Sequence, residues 1–263
     1  MADYGYCNAS IAAMRAEPSD RSEMVSQLFF CEVFTILEDT VKWLFIRCEN
    51  DGYTGWIDRK QYIPLTDKEY TLLRGRSIAF PKDLMTELKH QETDETVRIF
   101  HGTPLPVNLQ GFVEINGQIW KPQGAIFYRP MSVTNGNGKN IVEMAKSYHR
   151  VPYLWGGKSF FGCDCSGFVQ TIYNMNGISI KRDASQQARE GETVNLIGEA
   201  RVGDLLFFDN HEGNIIHVGI LIEDNQIIHA SGFVRIDKID HFGIFNAQQQ
   251  TYTHKLRIIK RYL

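Results

Sequence analysis

The chain has no long apolar run, no excess of positive charge and no cysteine framework. No stretch of about 18 consecutive apolar residues occurs, so the sequence predicts no transmembrane helix. The formal net charge of -3 and the lack of a basic block argue against a nucleic-acid partner. The first residues also lack the basic and apolar regions of a secretory signal. We therefore expect a cytoplasmic monomer, with an envelope location as the alternative if a signal has been removed.

The cysteines form an odd set of five, at positions 7, 31, 48, 163 and 165. An odd number without regular spacing does not indicate a disulfide scaffold. Cys163 and Cys165 are too close in sequence for an ordinary relaxed disulfide. A zinc site built from this pair and two histidines stays open, but structural zinc prefers Cys-x2-4-Cys spacing. We expect no metal and no cofactor.

The first half of the chain reads as short strands separated by turns, which is typical of small barrels. In residues 1–65 we predict strands at 10–14, 28–37, 43–48 and 55–57. Residues 66–130 repeat this style less clearly, with a hairpin at Asn116-Gly117. There, residues 83–89 could form one or two helical turns. The interpretation is two small all-β barrels in succession.

The hydrophobic pattern changes after a linker predicted at residues 131–138. Apolar positions at helical spacing predict a helix capped by Asn140, then a second helix that begins near Cys165 and ends at Asn176-Gly177. Asp183 could cap a third, short helix. Beyond Gly203 the pattern becomes that of strands. Helices followed by an antiparallel sheet predict an α+β domain over residues 131–263.

Cys165 is the strongest candidate for a chemical role. It follows a loop rich in glycine and aromatic residues and stands where a buried helix begins. Unpaired backbone N–H groups and the helix dipole favour a thiolate there, so we expect the pKa of Cys165 to lie below the free value of about 8.5. Its flanking residues, Asp164 and Ser166, are poor core neighbours, which argues against an inert buried cysteine.

A nucleophilic cysteine needs a base, and the base needs a polar group that orients it. His217 and His229 each interrupt an otherwise apolar strand, and adjacent strands could place the two imidazoles side by side. A structural role is the alternative for either histidine alone. Tyr153 could donate its hydroxyl to the oxyanion together with backbone N–H groups, or could serve only as an aromatic anchor of the loop.

Four ordered motifs resemble those of the NlpC-type cell-wall cysteine peptidases, over residues 140–263. They are Tyr-Leu-Trp-Gly-Gly at 153–157, Asp-Cys-Ser-Gly-Phe at 164–168, Gly-Asp-Leu-Leu-Phe-Phe at 203–208 and His-Val-Gly-Ile at 217–220. The resemblance implies a papain-like fold in which Cys165 is the nucleophile, His217 the base and His229 the residue that orients the base.

The upstream region resembles the γ-D-glutamyl-L-diamino acid endopeptidase branch, in which bacterial SH3-like domains precede the catalytic domain. The match rests on residues 15–19, 30–32, 53–57 and 182–185. It implies that Glu32, Tyr53 and Asp183 hold the free α-amine of the substrate. Cys31 stands where the branch usually has glycine, which puts the geometry of that loop in question. We also predict substrate contacts for Asp164, Ser166 and Ser185.

The sequence therefore predicts a cysteine peptidase with a murein peptide as its partner, cutting L-Ala-γ-D-Glu-diamino acid for peptide recycling. It leaves open whether the diamino acid is diaminopimelate or lysine. Two other functions also remain open. The thiol could catalyse acyl transfer or amide hydrolysis on another substrate, or the chain could be a peptidoglycan-binding protein with an inactive catalytic domain.

Overall fold

The computed structural model describes residues 3–130, 137–223 and 225–263. The chain divides into two compact units, Met1–Arg129 and Pro130–Leu263. Most of the linker predicted at 131–138 falls outside the described residues, because 131–136 are not among them. Within the described ranges, no helix is both long and apolar enough to cross a membrane.

The first unit begins with a seven-stranded antiparallel sheet in the order β3-β2-β6-β5-β4-β1-β7. Inward-facing residues from six of its strands form one buried cluster, which includes Met14, Phe34 and Ile46. The strands are β1 (Tyr4–Cys7), β2 (Ile11–Arg15), β3 (Met24–Phe29), β4 (Val33–Asp39), β5 (Trp43–Cys48), β6 (Thr54–Asp58) and β7 (Tyr62–Leu65).

The single strand predicted at 28–37 is wrong. The structure ends β3 at Phe29 and starts β4 at Val33, with a tight turn between them. Cys31 makes this turn possible by adopting φ of 67°, a conformation that normally favours glycine. The Cys31 N–H donates to the Cys7 carbonyl, and the Glu32 N–H donates to the Phe29 carbonyl. The turn thus keeps its hydrogen bonds at the cost of a strained residue.

A helix and a second seven-stranded antiparallel sheet complete the first unit. The helix α1 (Asp67–Arg74) begins with a capping box between Thr66 and Glu69, and the helix itself is not among the predictions made from the sequence. The sheet has the order β10-β9-β13-β12-β11-β8-β14. Its strands are β8 (Ser77–Pro81), β9 (Met85–His90), β10 (Thr96–Phe100), β11 (Leu105–Val107), β12 (Val113–Ile115), β13 (Gln118–Pro122) and β14 (Ile126–Tyr128).

Two predictions for this second sheet have opposite outcomes. The hairpin at Asn116-Gly117 is confirmed, because both residues have positive φ and connect β12 to β13. The helical turns suggested for 83–89 are wrong, because most of that segment is β9. Leu88 is buried there between two neighbouring strands, and this tertiary pairing outweighs the local helix propensity.

The strand order of the two sheets is the same when β8–β14 are renumbered from one. A second buried cluster contains most of the inward-facing residues of the second sheet and also Tyr6 of β1 and Leu65 of β7. It includes Phe30 in the turn after β3, whose ring meets Trp120 edge to face at 5.8 Å between centroids. The two sheets therefore share part of one core within the first unit, and the strained turn at Cys31 packs into it.

The second unit confirms the predicted order of helices before an antiparallel sheet. Strands β18 to β22 are each paired with the next, and β23 pairs with both β18 and β22, which closes a ring. The elements are α2 (Asn137–Ser147), β15 (Lys158–Ser159), β16 (Gly162–Cys163), α3 (Cys165–Met175), α4 (Ala184–Gln187), β17 (Glu192–Val194), β18 (Leu205–Asp209), β19 (Ile215–Ile222), β20 (Gln226–Ser231), β21 (Phe233–Ile239), β22 (Gly243–Asn246) and β23 (Thr251–Arg261).

The helix α3 is the centre of this unit, because every one of its residues is buried. It packs against β19 and β20 on one side and against β15 and α2 on others. Its apolar side chains pack in the core, and its buried polar side chains find hydrogen-bond partners: Gln170 Nε2 donates to the Ile180 carbonyl at 3.1 Å and Thr171 Oγ1 to the Lys158 carbonyl at 2.8 Å. Its first residue, Cys165, is therefore fixed against the sheet. The helix α2 begins at Asn137, three residues before the predicted cap at Asn140.

Candidate active site

Cys165 is the first residue of α3, as the sequence predicts, and Asp164 is its N-cap. The Asp164 Oδ1 accepts a hydrogen bond of 2.7 Å from the Gly167 N–H. Its Oδ2 accepts one of 2.9 Å from the Gly156 N–H in the preceding loop. The carboxylate thus ties the loop at 153–157 to the start of the helix.

Asp164 and Ser166 have partners inside the domain. The Arg182 guanidinium donates to Asp164 Oδ1 at 3.1 Å and to Oδ2 at 2.6 Å, and also to Ser166 Oγ at 3.0 Å. All three side chains are buried, and Arg182 is only 1% exposed. This network holds the helix start in place. The substrate contacts expected of Asp164 and Ser166 stay a prediction, and the buried role of Arg182 is one that the sequence analysis missed.

The expectation of a lowered thiol pKa is wrong for Cys165 in this structure. Burial first, and then the neighbouring Asp164 carboxylate, raise the pKa of Cys165 to about 12. Hydrogen bonds from the Val218 and Ser166 backbone N–H groups, together with the Arg182 charge, act in the other direction but do not outweigh burial. The capping carboxylate explains part of the difference, because it brings negative charge to the helix N-terminus.

The two predicted histidines lie side by side. His217 is on β19 and His229 is on β20, and His217 Nε2 lies 2.8 Å from His229 Nδ1. The backbone N–H of Val218, next to His217, is hydrogen-bonded to the Cys165 sulfur. Burial lowers the pKa of His217 well below its usual value, and His229 and His254 lower it further. At neutral pH the resting site therefore pairs a neutral thiol with a neutral imidazole.

Tyr153 stands at the edge of the same site. Its backbone pairs with Cys163, and its N–H donates to the Gly232 carbonyl at 3.0 Å. Burial first, and then the charges of Cys165 and Asp164, raise the pKa of the half-buried Tyr153 phenol to about 12. Tyr153 is therefore a neutral hydroxyl that can donate a hydrogen bond to an oxyanion.

Three further residues surround the histidines and were not identified from the sequence. Asp237 Oδ2 lies 3.0 Å from His229 Nε2, and Arg235 forms an ion pair with Asp237. His254 stacks on His217, with ring centroids 4.3 Å apart. Arg235 and Asp237 are two residues apart on one strand, so they share a face. This two-residue spacing is visible in the sequence, but only the pairing of β21 with β20 shows that Arg235 and Asp237 lie beside His229.

The residues predicted to hold the substrate amine lie in both units. Glu32 follows the strained Cys31 and accepts a hydrogen bond of 2.7 Å from the Phe29 N–H. Tyr53 directly precedes β6, and its carbonyl accepts a hydrogen bond from the Cys48 N–H at the end of β5. The next residue, Glu49, donates its N–H to the Val33 carbonyl at the start of β4. Glu32 and Tyr53 therefore stand at the same end of β4, β5 and β6.

Asp183 and Ser185 lie at the start of α4 in the second unit. The backbone N–H of Asp183 donates to Gln186 Oε1 at 3.3 Å, which agrees with the predicted helix start. Ser185 is exposed within α4. In the described ranges, no group of three or more His, Cys, Asp or Glu side chains is arranged to hold a metal ion.

Comparison with known proteins identifies the family. The NlpC/P60 family model matches residues 150–257, and the model of the bacterial dipeptidyl-peptidase Sh3 domain matches residues 14–61. A γ-D-glutamyl-L-lysine dipeptidyl-peptidase of Bacillus subtilis is 30% identical over 226 residues, which is 78% of this chain and 71% of the relative. Dipeptidyl-peptidase 6 of Lysinibacillus sphaericus is 41% identical over 245 residues, 85% of this chain and 86% of the relative. The chain belongs to the NlpC/P60 family.

The second unit is thus an NlpC/P60 cysteine peptidase domain, preceded by a bacterial SH3-like domain. A crystal structure of an NlpC/P60 family protein from Bacillus cereus superposes with a TM-score of 0.82 at 20% identity and covers 99% of each chain. An NlpC/P60 endopeptidase from Photobacterium damselae covers 98% of this chain and 70% of its own, with a TM-score of 0.72 at 16% identity. At these identities the two structures support the fold alone.

Proposed function

We propose that this NlpC/P60 enzyme hydrolyses the γ-D-glutamyl bond to an L-diamino acid in short murein peptides with a free N-terminal L-Ala. The observation that carries the chemistry is the helix-start Cys165 against β19, with His217 and His229 hydrogen-bonded at 2.8 Å. The similarity to proteins named γ-D-glutamyl-L-lysine dipeptidyl-peptidase supports the substrate class.

The buried thiol sets the order of the proposed steps. Because Cys165 is protonated at rest, its sulfur attacks the γ-carbonyl carbon while its proton passes to His217. His217 then gives that proton to the nitrogen of the departing diamino acid, and the γ-carbonyl remains on sulfur as a thioester. Water, with its proton taken by His217, releases the L-Ala-D-Glu dipeptide and restores the thiol.

The oxyanion formed in both steps has several donors available. The Ser166 N–H at the start of α3 and the Val218 N–H are hydrogen-bonded to the Cys165 sulfur, so both lie next to the carbon that it would attack. Tyr153 supplies a neutral hydroxyl at the edge of the site. We propose that these groups stabilise the tetrahedral intermediates, as an oxyanion hole does in other acyl-transfer enzymes.

We further propose that Glu32, Tyr53 and Asp183 bind the free amine, as the resemblance implies, and that Ser185 also contacts the substrate. An ammonium group has three protons, which two carboxylates and a phenol can accept. We also propose that the second sheet of the first unit is a second SH3-like domain, because its strand order repeats that of the first. The division into three domains, the cytoplasmic location and the monomeric state stay predictions.

The test is incubation with L-Ala-γ-D-Glu-L-lysine and with its diaminopimelate counterpart, followed by mass identification of the products. We expect L-Ala-D-Glu and the free diamino acid, and the faster peptide identifies the leaving group. Cys165→Ala should lower turnover at least about 10⁴-fold. Cys163→Ala is the matched control, because Cys163 is fully buried in β16 next to the nucleophile, and it should keep most of the activity. Turnover by Cys165→Ala at the wild-type rate would contradict the proposal.

A further inference from the structure

A continuous set of hydrogen-bonding groups runs from His217 across three adjacent strands to Arg235. His217 Nε2 on β19 lies 2.8 Å from His229 Nδ1 on β20. His229 Nε2 lies 3.0 Å from Asp237 Oδ2 on β21. Arg235 Nη2 donates to Asp237 Oδ1 at 2.9 Å, and its Nε lies 2.6 Å from Oδ2. The Asp237 side chain is only 8% exposed, so this is a buried network rather than a surface ion pair.

The proton positions along this set follow from which groups can donate. An ionised carboxylate can only accept, so His229 Nε2 must carry a proton toward Asp237. A neutral His229 then has a bare Nδ1, which can only accept from His217 Nε2–H. A neutral His217 with its proton on Nε2 has a bare Nδ1. That bare nitrogen is the one able to take a proton from a thiol.

We infer that Asp237, held by Arg235, is a positioning residue that fixes the tautomer of His217 and so keeps it competent as the base. This inference rests on the proposed function, since it assigns a role in the reaction of Cys165. If His229 instead carried its proton on Nδ1, His217 would accept it on Nε2 and would present an N–H to the sulfur. In that arrangement His217 could not act as a base.

Arg235 has a second part in this arrangement. A carboxylate next to a histidine tends to draw it into the imidazolium form, in which both nitrogens carry protons. A doubly protonated His229 would donate from Nδ1 to His217 and impose the wrong tautomer. The Arg235 cation offsets the Asp237 charge, so Asp237 accepts a hydrogen bond without charging His229. Burial acts in the same direction and lowers the pKa of His229.

Few charged or titratable groups face the two imidazoles. His229 faces His217 on β19, Arg235 and Asp237 on β21 and His254 on β23. His217 faces His229 and His254, with the Phe208 ring of β18 beside it and the Cys165 thiol of α3 near Val218. His254 is neutral at neutral pH, because burial lowers its pKa to about 4. Among the described residues, Asp237 is therefore the negatively charged group in contact with this pair, and Arg235 is its counter-charge.

Two variants should move the acidic limb of kcat/KM in opposite directions. Asp237→Asn removes the negative charge, so the limb should shift to lower pH, and the plateau should fall about 10- to 100-fold because the tautomer is no longer fixed. Arg235→Gln leaves the carboxylate unopposed, so the limb should shift to higher pH. Lys238→Gln is the control, since it changes one charge at an exposed position of the same strand and should shift neither limb nor plateau. If Asp237 and Arg235 only stabilised the fold, both variants would lower activity without shifting the acidic limb of kcat/KM in opposite directions.

A readout that needs no substrate separates this inference from the proposed function. In the full-length protein labelled with ¹⁵N-histidine, NMR distinguishes a protonated ring nitrogen from a bare one. We expect His217 to carry its proton on Nε2 in the wild type and to lose that preference in Asp237→Asn. A wild-type His217 protonated on Nδ1, or limbs that coincide in both variants, would overturn the inference even if the murein peptide is cleaved. If NMR shows the expected His217 tautomer in the wild type but the murein peptide is not cleaved, only the proposed function is contradicted.

Discussion

Cys165 keeps its proton in the resting enzyme, because burial and the nearby Asp164 carboxylate raise its pKa to about 12. Reactivity then comes from proton transfer to His217 during attack rather than from a standing thiolate. Iodoacetamide should therefore label Cys165 slowly at pH 6, and labelling should increase as the pH rises above neutrality. Peptide mapping of the alkylated native protein measures this. Rapid labelling of Cys165 alone at pH 6 would show that the thiolate is already formed.

The same raised pKa values predict the behaviour of the fold at high pH. Burial raises the pKa of both Cys163 and Cys165, so the folded state holds their protons when the unfolded chain has lost them. Their contribution to stability is complete below the unfolded thiol pKa of about 8.5 and is lost as the pH rises above it. Denaturant unfolding at pH 7 and pH 10 should show a lower free energy of unfolding at pH 10. Cys163→Ala should reduce the difference, and an unchanged difference would contradict this assignment.

The residues of the site differ in how far the sequence could identify them. Cys165, His217 and His229 could be identified from the sequence because each differs from its neighbours. Cys165 is a thiol at a helix start, and the two histidines are polar residues in apolar strands. Asp237 and Arg235 could not be identified from the sequence, because two charged residues at alternate positions of a strand are also normal for a solvent-facing side of a sheet. Only strand pairing places them beside His229. The burial of Arg182 could not be predicted either, since an arginine with 1% exposure requires a buried partner that the sequence does not reveal.

The start of α3 depends on the ion pair between Asp164 and Arg182. Asp164→Ala would remove two backbone hydrogen bonds and leave a buried guanidinium without its carboxylate. We expect a loss of about 3–5 kcal/mol in the free energy of unfolding. The matched control is Asp204→Ala, which breaks a second buried pair, with Arg261 at 2.6 Å.

Both variants should be destabilised in denaturant unfolding, but they should differ at the active site. Only Asp164→Ala should change the alkylation rate of Cys165 at conditions where both proteins are folded. Equal alkylation in the two variants would mean that the cap does not position the thiol.

Gly167 allows α3 to approach the loop at 153–157. A Cβ at this position would lie 2.2 Å from the Gly157 carbonyl oxygen, and backbone cannot move aside as a flexible side chain can. Gly167→Ala should therefore displace the helix start, cost about 1–3 kcal/mol and reduce turnover. Gly198→Ala is the control, because a Cβ there meets no atom within 4 Å. Thermal unfolding and peptide hydrolysis measure the two effects, and a fully active Gly167→Ala would contradict this packing argument.

Elements with a strong local signal were predicted well, and those decided by distant partners were not. The segment Trp43–Cys48 is a strand as expected, because its alternation is clear and turns bound it. Residues 28–37 show one continuous apolar pattern, so nothing local reveals the turn that Cys31 makes. In β9 the pairing with β10 and β13 decides the conformation. The long strand β23 also starts earlier than its apolar part suggests, because pairing with β22 extends it.

At the scale of the whole molecule, the first unit contains one strand order twice, while the second contains the peptidase domain. The sequence predicts two successive small barrels, but it does not show that they share a strand order, because residues 66–130 repeat the pattern of residues 1–65 only weakly. Phe30 and Cys31, which precede Glu32, are buried in a cluster with residues of the second sheet, among them Trp120. We therefore expect the second sheet to support the turn that carries this predicted amine-binding residue.

We propose that the enzyme requires a free amino terminus on its peptide. Acetylation removes the positive charge and leaves Glu32 and Asp183 without their proposed cation. A loss of about 3 kcal/mol in transition-state binding corresponds to more than about a 100-fold fall in kcat/KM. Glu32→Gln should weaken hydrolysis of the free peptide and leave the alkylation of Cys165 unchanged.

The most direct measurement compares kcat/KM for L-Ala-γ-D-Glu-L-lysine with kcat/KM for the same peptide acetylated on its alanine nitrogen. We predict that the free peptide is hydrolysed more than about 100-fold faster, and that Glu32→Gln reduces this ratio. Equal rates on the two peptides would contradict the amine-binding proposal and would make intact cell wall the substrate to test next.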